Sequence, residues 1–403
     1  MQIYMVGGAV RDALLGLPVI DHDWVVVGST PEALTALGYQ PVGKDFPVFL
    51  HPVTREEFAL ARTERKTARG YRGFEVHAAP DVTLEQDLAR RDLTINSIAA
   101  PAIETQTCGI FNTHFEALVD PYGGQKDIAD KVLRHVTDAF REDPVRILRV
   151  ARFAARFADF SIAPETLQLM KEMVQHGEVD ALVAERVWQE LARGLMEAQP
   201  SRLLQVLQQC GALHRLLPEL NRGSDSNYRD GGMQVMRALD LAARLQAPLP
   251  VRFACLMHAL DHETHGADGE SLLQRACERL RVPVDYRDTA VLVAREHGNI
   301  DHSSVWGAAE LTRLLTRCDA FRKPRRFADA LQACECLARG HPGQADATYP
   351  QRARLLSVLA AAQAVATATI AADAQAAGLN GPKIGEKIDA ARVLAVEAAL
   401  QAL

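Results

Sequence analysis

The sequence predicts a small α/β head, a mixed sheet with helices, followed by an all-helical neck, body and tail. Three observations carry this. Strand-like runs at Ile3–Val6, Trp24–Val27, Val48–Leu50 and Glu57–Ala61 alternate with Gly, Pro and short helical stretches at the start of the chain. From about Ala139 onward the apolar spacing turns helical and stays so to the C-terminus. Polar, Gly-bearing breaks fall at Asn221–Gly232 and Arg339–Pro350. The segments expected are a head over 1–138, a helical neck over 139–222, a helical body over 223–335 and a helical tail over 336–403.

Bulk composition narrows the class without naming it. At 403 residues the chain exceeds one ordinary core. It is 48% hydrophobic and 24% charged, as in globular proteins. The Ala-rich stretch Val358–Ala377 comes nearest to a membrane span, but Gln363, Thr367, Thr369, Asp373 and Gln375 interrupt it, so a helix in water is expected. The N-terminus lacks a basic region followed by a signal-length apolar core, which points to a cytoplasmic protein with no membrane partner. Seven cysteines, scattered and without a paired C-x-x-C, read as reduced, mostly buried thiols. A net charge of −6 excludes indiscriminate coating of nucleic acid but permits a local basic face.

In the head, Val6-Gly7-Gly8-Ala9-Val10-Arg11-Asp12 follows a short strand and opens a helix-compatible stretch. Glycines there let backbone N–H groups approach a phosphate, and Arg11 would add a charge-assisted contact. Gly-Gly turns are common, so alone this is weak. Asp21-His22-Asp23 runs into Trp24-Val25-Val26-Val27 and reads as a strand start, where residues i and i+2 share a face. Two adjacent carboxylates suit Mg²⁺, which takes carboxylate oxygens together with water and phosphates. For an isolated pair, a solvated D-x-D turn is the plainer reading.

Gly-Gly followed by D-x-D at this spacing is rarer than either part. Gly7-Gly8-Ala9-Val10-Arg11-Asp12-Ala13-Leu14-Leu15-Gly16 with Asp21 and Asp23 resembles the first motif of the class II tRNA nucleotidyltransferases, in the polymerase-β-like nucleotidyltransferase superfamily. Arg90-Arg91-Asp92-Leu93-Thr94-Ile95-Asn96-Ser97-Ile98-Ala99 is similar to the second, and Asp120-Pro121-Tyr122-Gly123-Gly124 with Asp127 to the third. Glu142-Asp143-Pro144-Val145-Arg146, continuing to Arg149, Arg152 and Phe153, resembles the fourth.

The resemblance implies template-independent addition and repair of the tRNA CCA end from CTP and ATP, with pyrophosphate released and no stable protein partner required. It implies Asp21 and Asp23 as ligands of Mg²⁺, Glu57 as a third carboxylate, and Gly8, Arg11 and Arg91 as nucleotide contacts. The polar segment from Arg62 to Asp81, with Gly70 and Gly73, would be a loop that rearranges during synthesis. Residues 101–117 look longer than usual for their place.

Base choice has a physical reading in the run from Glu142 to Phe157. On a helix Asp143 and Arg146 are i, i+3 neighbours with Arg149 beside Arg146, while Ile147, Val150, Ala151, Ala154 and Phe157 face a core. A carboxylate only accepts and a guanidinium only donates, so together they match the exocyclic amine and ring acceptor shared by C and A and refuse G and U. A surface ion pair would explain Asp143 and Arg146, but not why Arg146, Arg149, Arg152 and Arg156 crowd one side.

Bacterial members of the multifunctional type carry an HD phosphohydrolase body. Here Arg252-Phe253-Ala254-Cys255-Leu256-Met257-His258-Ala259-Leu260-Asp261 has alanine where an aspartate would follow His258, so a degenerate body without hydrolase is expected. His262, His265, His297 and His302 remain. Arg317, Arg322, Lys323, Arg325 and Arg326 form the densest basic cluster outside the head, suited to an RNA backbone or to a solvated helix end. The rival readings are a poly(A) polymerase or a CC- or A-adding enzyme of the same class, and an inactive RNA-binding protein on the same fold.

Overall fold

The computed structural model describes the chain apart from residues 43–46, 67–73, 106–108, 110, 222–226, 261–266 and 403. It divides into two compact units: Met1–Leu191 with Arg202–Leu216, and Ala192–Ser201 with Leu217–Leu403.

The first unit is built on a seven-stranded mixed sheet. Its strands are β1 (Gln2–Val6), β2 (Asp23–Val27), β3 (Gln40–Val42), β4 (Val48–Leu50), β5 (Glu57–Leu60), β8 (Ala99–Glu104) and β9 (Phe111–Thr113). Their spatial order is β3-β4-β5-β2-β1-β8-β9. Every pairing is antiparallel except β2 with β5, which run parallel with Asp23 opposite Glu57. The unbroken apolar run Trp24-Val25-Val26 follows from burial on both faces. Trp24 and Val26 join a core with Phe49, Phe58 and Tyr39, and Val25 joins a second with Val6, Leu84, Leu88 and Ala99. Trp24 stacks on Phe58 at 5.5 Å across the parallel pair.

Two helices owe their starts to local chemistry. Thr30 caps α2 (Pro31–Ala36), with proline in its first turn. Thr83 and Gln86 form a reciprocal box at the start of α3 (Leu84–Ala89). Helix α1 (Gly8–Leu14) is entered through Gly7 at φ 70°, a conformation that favours glycine.

The structure alters four expectations. The segment from Arg62 to Asp81 contains an antiparallel pair, β6 (Thr63–Lys66) with β7 (Phe74–His77); Gly70 and Gly73 lie outside the described residues. Strand pairing satisfies backbone groups there that a loop would leave to water. The helical run after Ala139 is interrupted by β11 (Ser161–Ile162), which pairs parallel with β10 (Val132–Leu133). Of the break at Asn221–Gly232, the portion from Asn227 is the first turns of α10 (Asn227–Arg244), glycines included. The helix expected over Glu142–Phe157, α5, spans Val145–Arg156, so Asp143 precedes it in extended conformation. Pro144 sets that start, because the residue before a proline is driven out of the helical region.

The second unit is helical. It holds α10, α11 (Leu249–Met257), α12 (Ala267–Arg279), α13 (Val284–His302), α14 (Ala308–Arg317), α15 (Pro324–Arg339), α16 (Pro350–Gln363), α17 (Thr367–Ala376) and α18 (Gly381–Gln401). Helix α11 is buried on every side from Val251 to Met257, and Arg252 is tolerated within it because its guanidinium donates to the carbonyls of Ala247, Leu195 and Glu197. Cys255, Cys277, Cys318, Cys334 and Cys336 here, and Cys210 in the first unit, are buried free thiols. No single helix among the described residues is long and apolar enough to cross a membrane.

Candidate active site

The Gly-Gly turn, the D-x-D pair and the Arg-Arg-Asp segment come together where β1 and α3 end and β2 begins. A Cβ on Gly7 would stand 3.0 Å from Nη1 of Arg91 and 3.4 Å from Oδ2 of Asp23. Glycine is thus what lets a guanidinium and a carboxylate close over the turn. Asp23 opens β2, and Asp21 lies two residues earlier, outside the strand, so the approach to the strand and not the pleat positions it. Loss of solvent holds the Asp23 carboxyl above the ordinary range; Arg91 pulls the other way, and Asp21 adds to the rise. A carboxyl held up by burial and by a neighbouring carboxylate is one that a bound divalent cation would relieve.

Glu57 sits opposite Asp23 in the parallel register, hence on the same face of the sheet. Its neighbour Glu56 accepts from Trp24 Nε1 at 3.0 Å and meets His22 Nδ1 at 2.8 Å, tying the D-x-D segment to β5. Among the described residues no three His, Cys, Asp or Glu side chains form a metal cage. An open set of hard carboxylate oxygens fits Mg²⁺, which keeps waters and substrate phosphates as ligands.

Arg11 is placed beneath the turn. It is buried, donates to Asp12 Oδ1 at 2.9 Å and Asn96 Oδ1 at 2.6 Å, and lies about 5 Å from the rings of Phe153 and Phe157. Its Nη2 would be 3.4 Å from a Cβ on Gly8.

Three arginines of the basic stripe on α5 are each paired with an acid. Arg149 pairs with Asp92 at 2.7 Å, Arg152 with Glu190 at 2.7 Å and Arg156 with Asp12 at 2.8 Å. One helix thereby fastens the first and second motifs together. Burial would raise the Asp92 carboxyl, but Arg149, Asn96 and Arg146 hold it down to about 2.

Asp143 and Arg146 do not share a helical face. Arg146 is buried and donates to the carbonyls of Ala139 at 2.8 Å and Arg90 at 2.5 Å. Asp143 instead receives Arg186 on α7 (Ala184–Leu195), and also accepts from the backbone N–H of Val145 at 3.2 Å. The physical reason is Pro144, which breaks the i, i+3 relation. Sequence reasoning missed Arg186, for which no local signal existed, and Asp87. The latter was legible as an acid four residues before Arg91 on a helix.

In the second unit His258 is buried with its ring 4.4 Å from that of His297. His262 and His265 lie outside the described residues. Of the basic cluster, Arg317 is held by Glu296, and Arg326 by Asp288 and Asp319, while Arg322, Lys323 and Arg325 are exposed.

A mixed sheet that presents a glycine turn, paired carboxylates and an arginine at the ends of its central strands defines a nucleotidyltransferase head. A family model described as poly A polymerase head domain matches residues 3–134, and one described as probable RNA and SrmB-binding site of polymerase A matches 159–223. The chain is 67% identical to the multifunctional CCA protein of Polaromonas naphthalenivorans, over 98% of both chains, and 61% identical to that of Variovorax paradoxus over 99% of both. Its fold is similar to a CCA-adding enzyme in an apo form, with TM-score 0.66 at 22% identity over 100% of this chain and 92% of that one. It is also similar to the Bacillus stearothermophilus CCA-adding enzyme solved with CTP, with TM-score 0.65 at 23% identity over 98% and 89%. The chain belongs to the multifunctional CCA protein family of nucleotidyltransferases.

Proposed function

We propose that this enzyme adds and repairs the 3′-terminal CCA of tRNA with CTP and ATP, releasing pyrophosphate, in the cytoplasm. The observation that carries the reading is the meeting of Gly7, Asp23 and Arg91 at one end of the central strands β1 and β2. Asp21 and Asp23, with Glu57 beside them, would hold Mg²⁺, which would supply activation of an attacking 3′-hydroxyl and charge neutralisation of the leaving pyrophosphate. Gly7 and Gly8 admit phosphate close to the backbone, and Arg91 faces the same space. Arg11 acts from below, by fixing the turn through Asp12 and Asn96. Asp143 offers an acceptor held in place by Arg186, while Arg146 fixes the backbone at Arg90 and Arg149 secures Asp92. These assignments go with a catalytic head over 1–138, a nucleotide-reading neck over 139–222, a body over 223–335 that has lost its hydrolase and a tail over 336–403 that touches tRNA.

The test is tRNA lacking its 3′ end, incubated with each NTP alone and in mixtures, with the product ends sequenced. CC followed by A, and no extension by UTP or GTP, supports the reading. Long A tracts, or termination after CC with ATP present, would replace it by poly(A) synthesis or partial addition.

A further inference from the structure

Asp87, near the end of α3, is fully buried, yet it is not among the motif residues of the site. Burying a lone carboxylate is strongly unfavourable, so its surroundings must supply compensation. They do so by joining two things. Oδ2 accepts from Nη2 of Arg91 at 3.1 Å, and Oδ1 accepts from Nε and Nη2 of Arg90 at 3.1 and 2.6 Å. Oδ1 also lies 3.3 Å from the backbone N–H of Arg62, and Arg90 Nε donates to the Arg62 carbonyl at 3.0 Å. Arg62 is the residue from which the β6–β7 pair departs.

Arg91 therefore has one end of its guanidinium pinned by Asp87 while Nη1 reaches the Gly7 turn near Asp23. Its Nε is buried with no hydrogen-bond partner among the described residues, so the bond to Asp87 is what directs the guanidinium. A long arginine aimed at a substrate loses rotamer freedom on binding unless it is oriented beforehand. We infer that Asp87 is a positioning residue for nucleotide binding: it orients Arg91 toward the triphosphate and anchors the root of the β6–β7 pair to the same carboxylate. The inference rests on the proposed role of Arg91.

The experiment measures KM and kcat for CTP and ATP, and KM for the tRNA primer, in Asp87→Asn, Arg91→Met and the double variant, each checked for folding by circular dichroism. Asparagine keeps the shape and one acceptor but removes the charge. The KM for both nucleotides should rise about tenfold or more in Asp87→Asn, as for loss of a hydrogen bond to a charged group, with primer KM unchanged. The same rise is expected in Arg91→Met, and the double variant should be no worse than Arg91→Met, because Asp87 acts through Arg91. If Asp87→Asn does not fold, Asp87→Glu, which keeps the charge but displaces the carboxylate from Arg91, takes its place, alone and on Arg91→Met, with the same outcomes expected. A further rise in the double variant, or a primer KM that moves equally, makes Asp87 merely structural and overturns the inference. An unchanged nucleotide KM in Arg91→Met removes the role of Arg91 itself and this inference with it. A rise in Arg91→Met without one in Asp87→Asn sinks the inference alone.

Discussion

The Asp143 carboxylate receives both terminal nitrogens of Arg186, at 3.1 and 2.7 Å. Two parallel bonds from a planar fork fix the plane of the carboxylate as well as its charge. Lone pairs remain on its oxygens for a donor such as an exocyclic amine.

If Asp143 reads that amine, Asp143→Ala should lower the preference for CTP over UTP by roughly one to two orders of magnitude. Arg186→Ala should lower it in the same direction, because the acceptor is no longer held. Steady-state kcat/KM for the four NTPs on primers of defined length is the measurement. An unchanged CTP-to-UTP ratio in an active Asp143→Ala variant means that this carboxylate does not read the base.

Asp21→Ala and Asp23→Ala should each abolish nucleotide addition with circular dichroism unchanged, since neither carboxylate supports the core. Glu57→Gln should keep activity but raise the Mg²⁺ concentration at half-maximal rate. Near-normal CMP addition by either aspartate variant would remove the metal assignment.

Gly124 opens α4 (Gly124–Ala129) where a Cβ would lie 2.7 Å from Cγ1 of Ile98 and 2.2 Å from the Thr94 carbonyl oxygen. Backbone cannot swing aside as a flexible side chain can, so Gly124→Ala should cost about 1–3 kcal/mol, the usual range for overpacking. A urea midpoint equal to that of the parent would contradict this contact.

Asp92 makes an acid-side contribution to stability. Its carboxyl is held down to about 2 in the folded chain, below the unfolded value. The stabilisation is therefore present above about pH 4 and is lost as pH falls toward 2, with a full size of about 2 kcal/mol. Between pH 5 and 3 the parent should lose about 1 kcal/mol more than Asp92→Asn. Equal losses in urea unfolding at the two pH values would show that Asp92 is not the titrating group.

The second unit should hydrolyse no phosphoester. His258 is buried against His297, and alanine follows it where an HD body would place aspartate. Ni²⁺- or Mg²⁺-stimulated phosphatase activity that disappears in His258→Ala would contradict the loss.

The strands of the head were legible because Trp24-Val25-Val26 and Phe58-Ala59-Leu60 are short apolar runs bounded by polar or turn residues, and strand formation answers to that local pattern. The Gly-Gly turn, the D-x-D pair and the Arg-Arg-Asp segment were legible for the same reason, since each is a contiguous string. What joins them was not. Arg149 meets Asp92 across 57 residues, Arg156 meets Asp12 across 144, and Asp143 meets Arg186 across 43. Charge pairs at such separations leave no periodic trace, because partner choice is made by packing once helices and sheet are in place. Asp143 and Arg146 show the cost of reading locally: helical spacing united them, Pro144 moved Asp143 off the helix, and the folded chain gave each a different partner. Sequence alone determined the chemical inventory and the elements that carry it; the tertiary structure decided which charges neutralise one another and which are left to face a substrate.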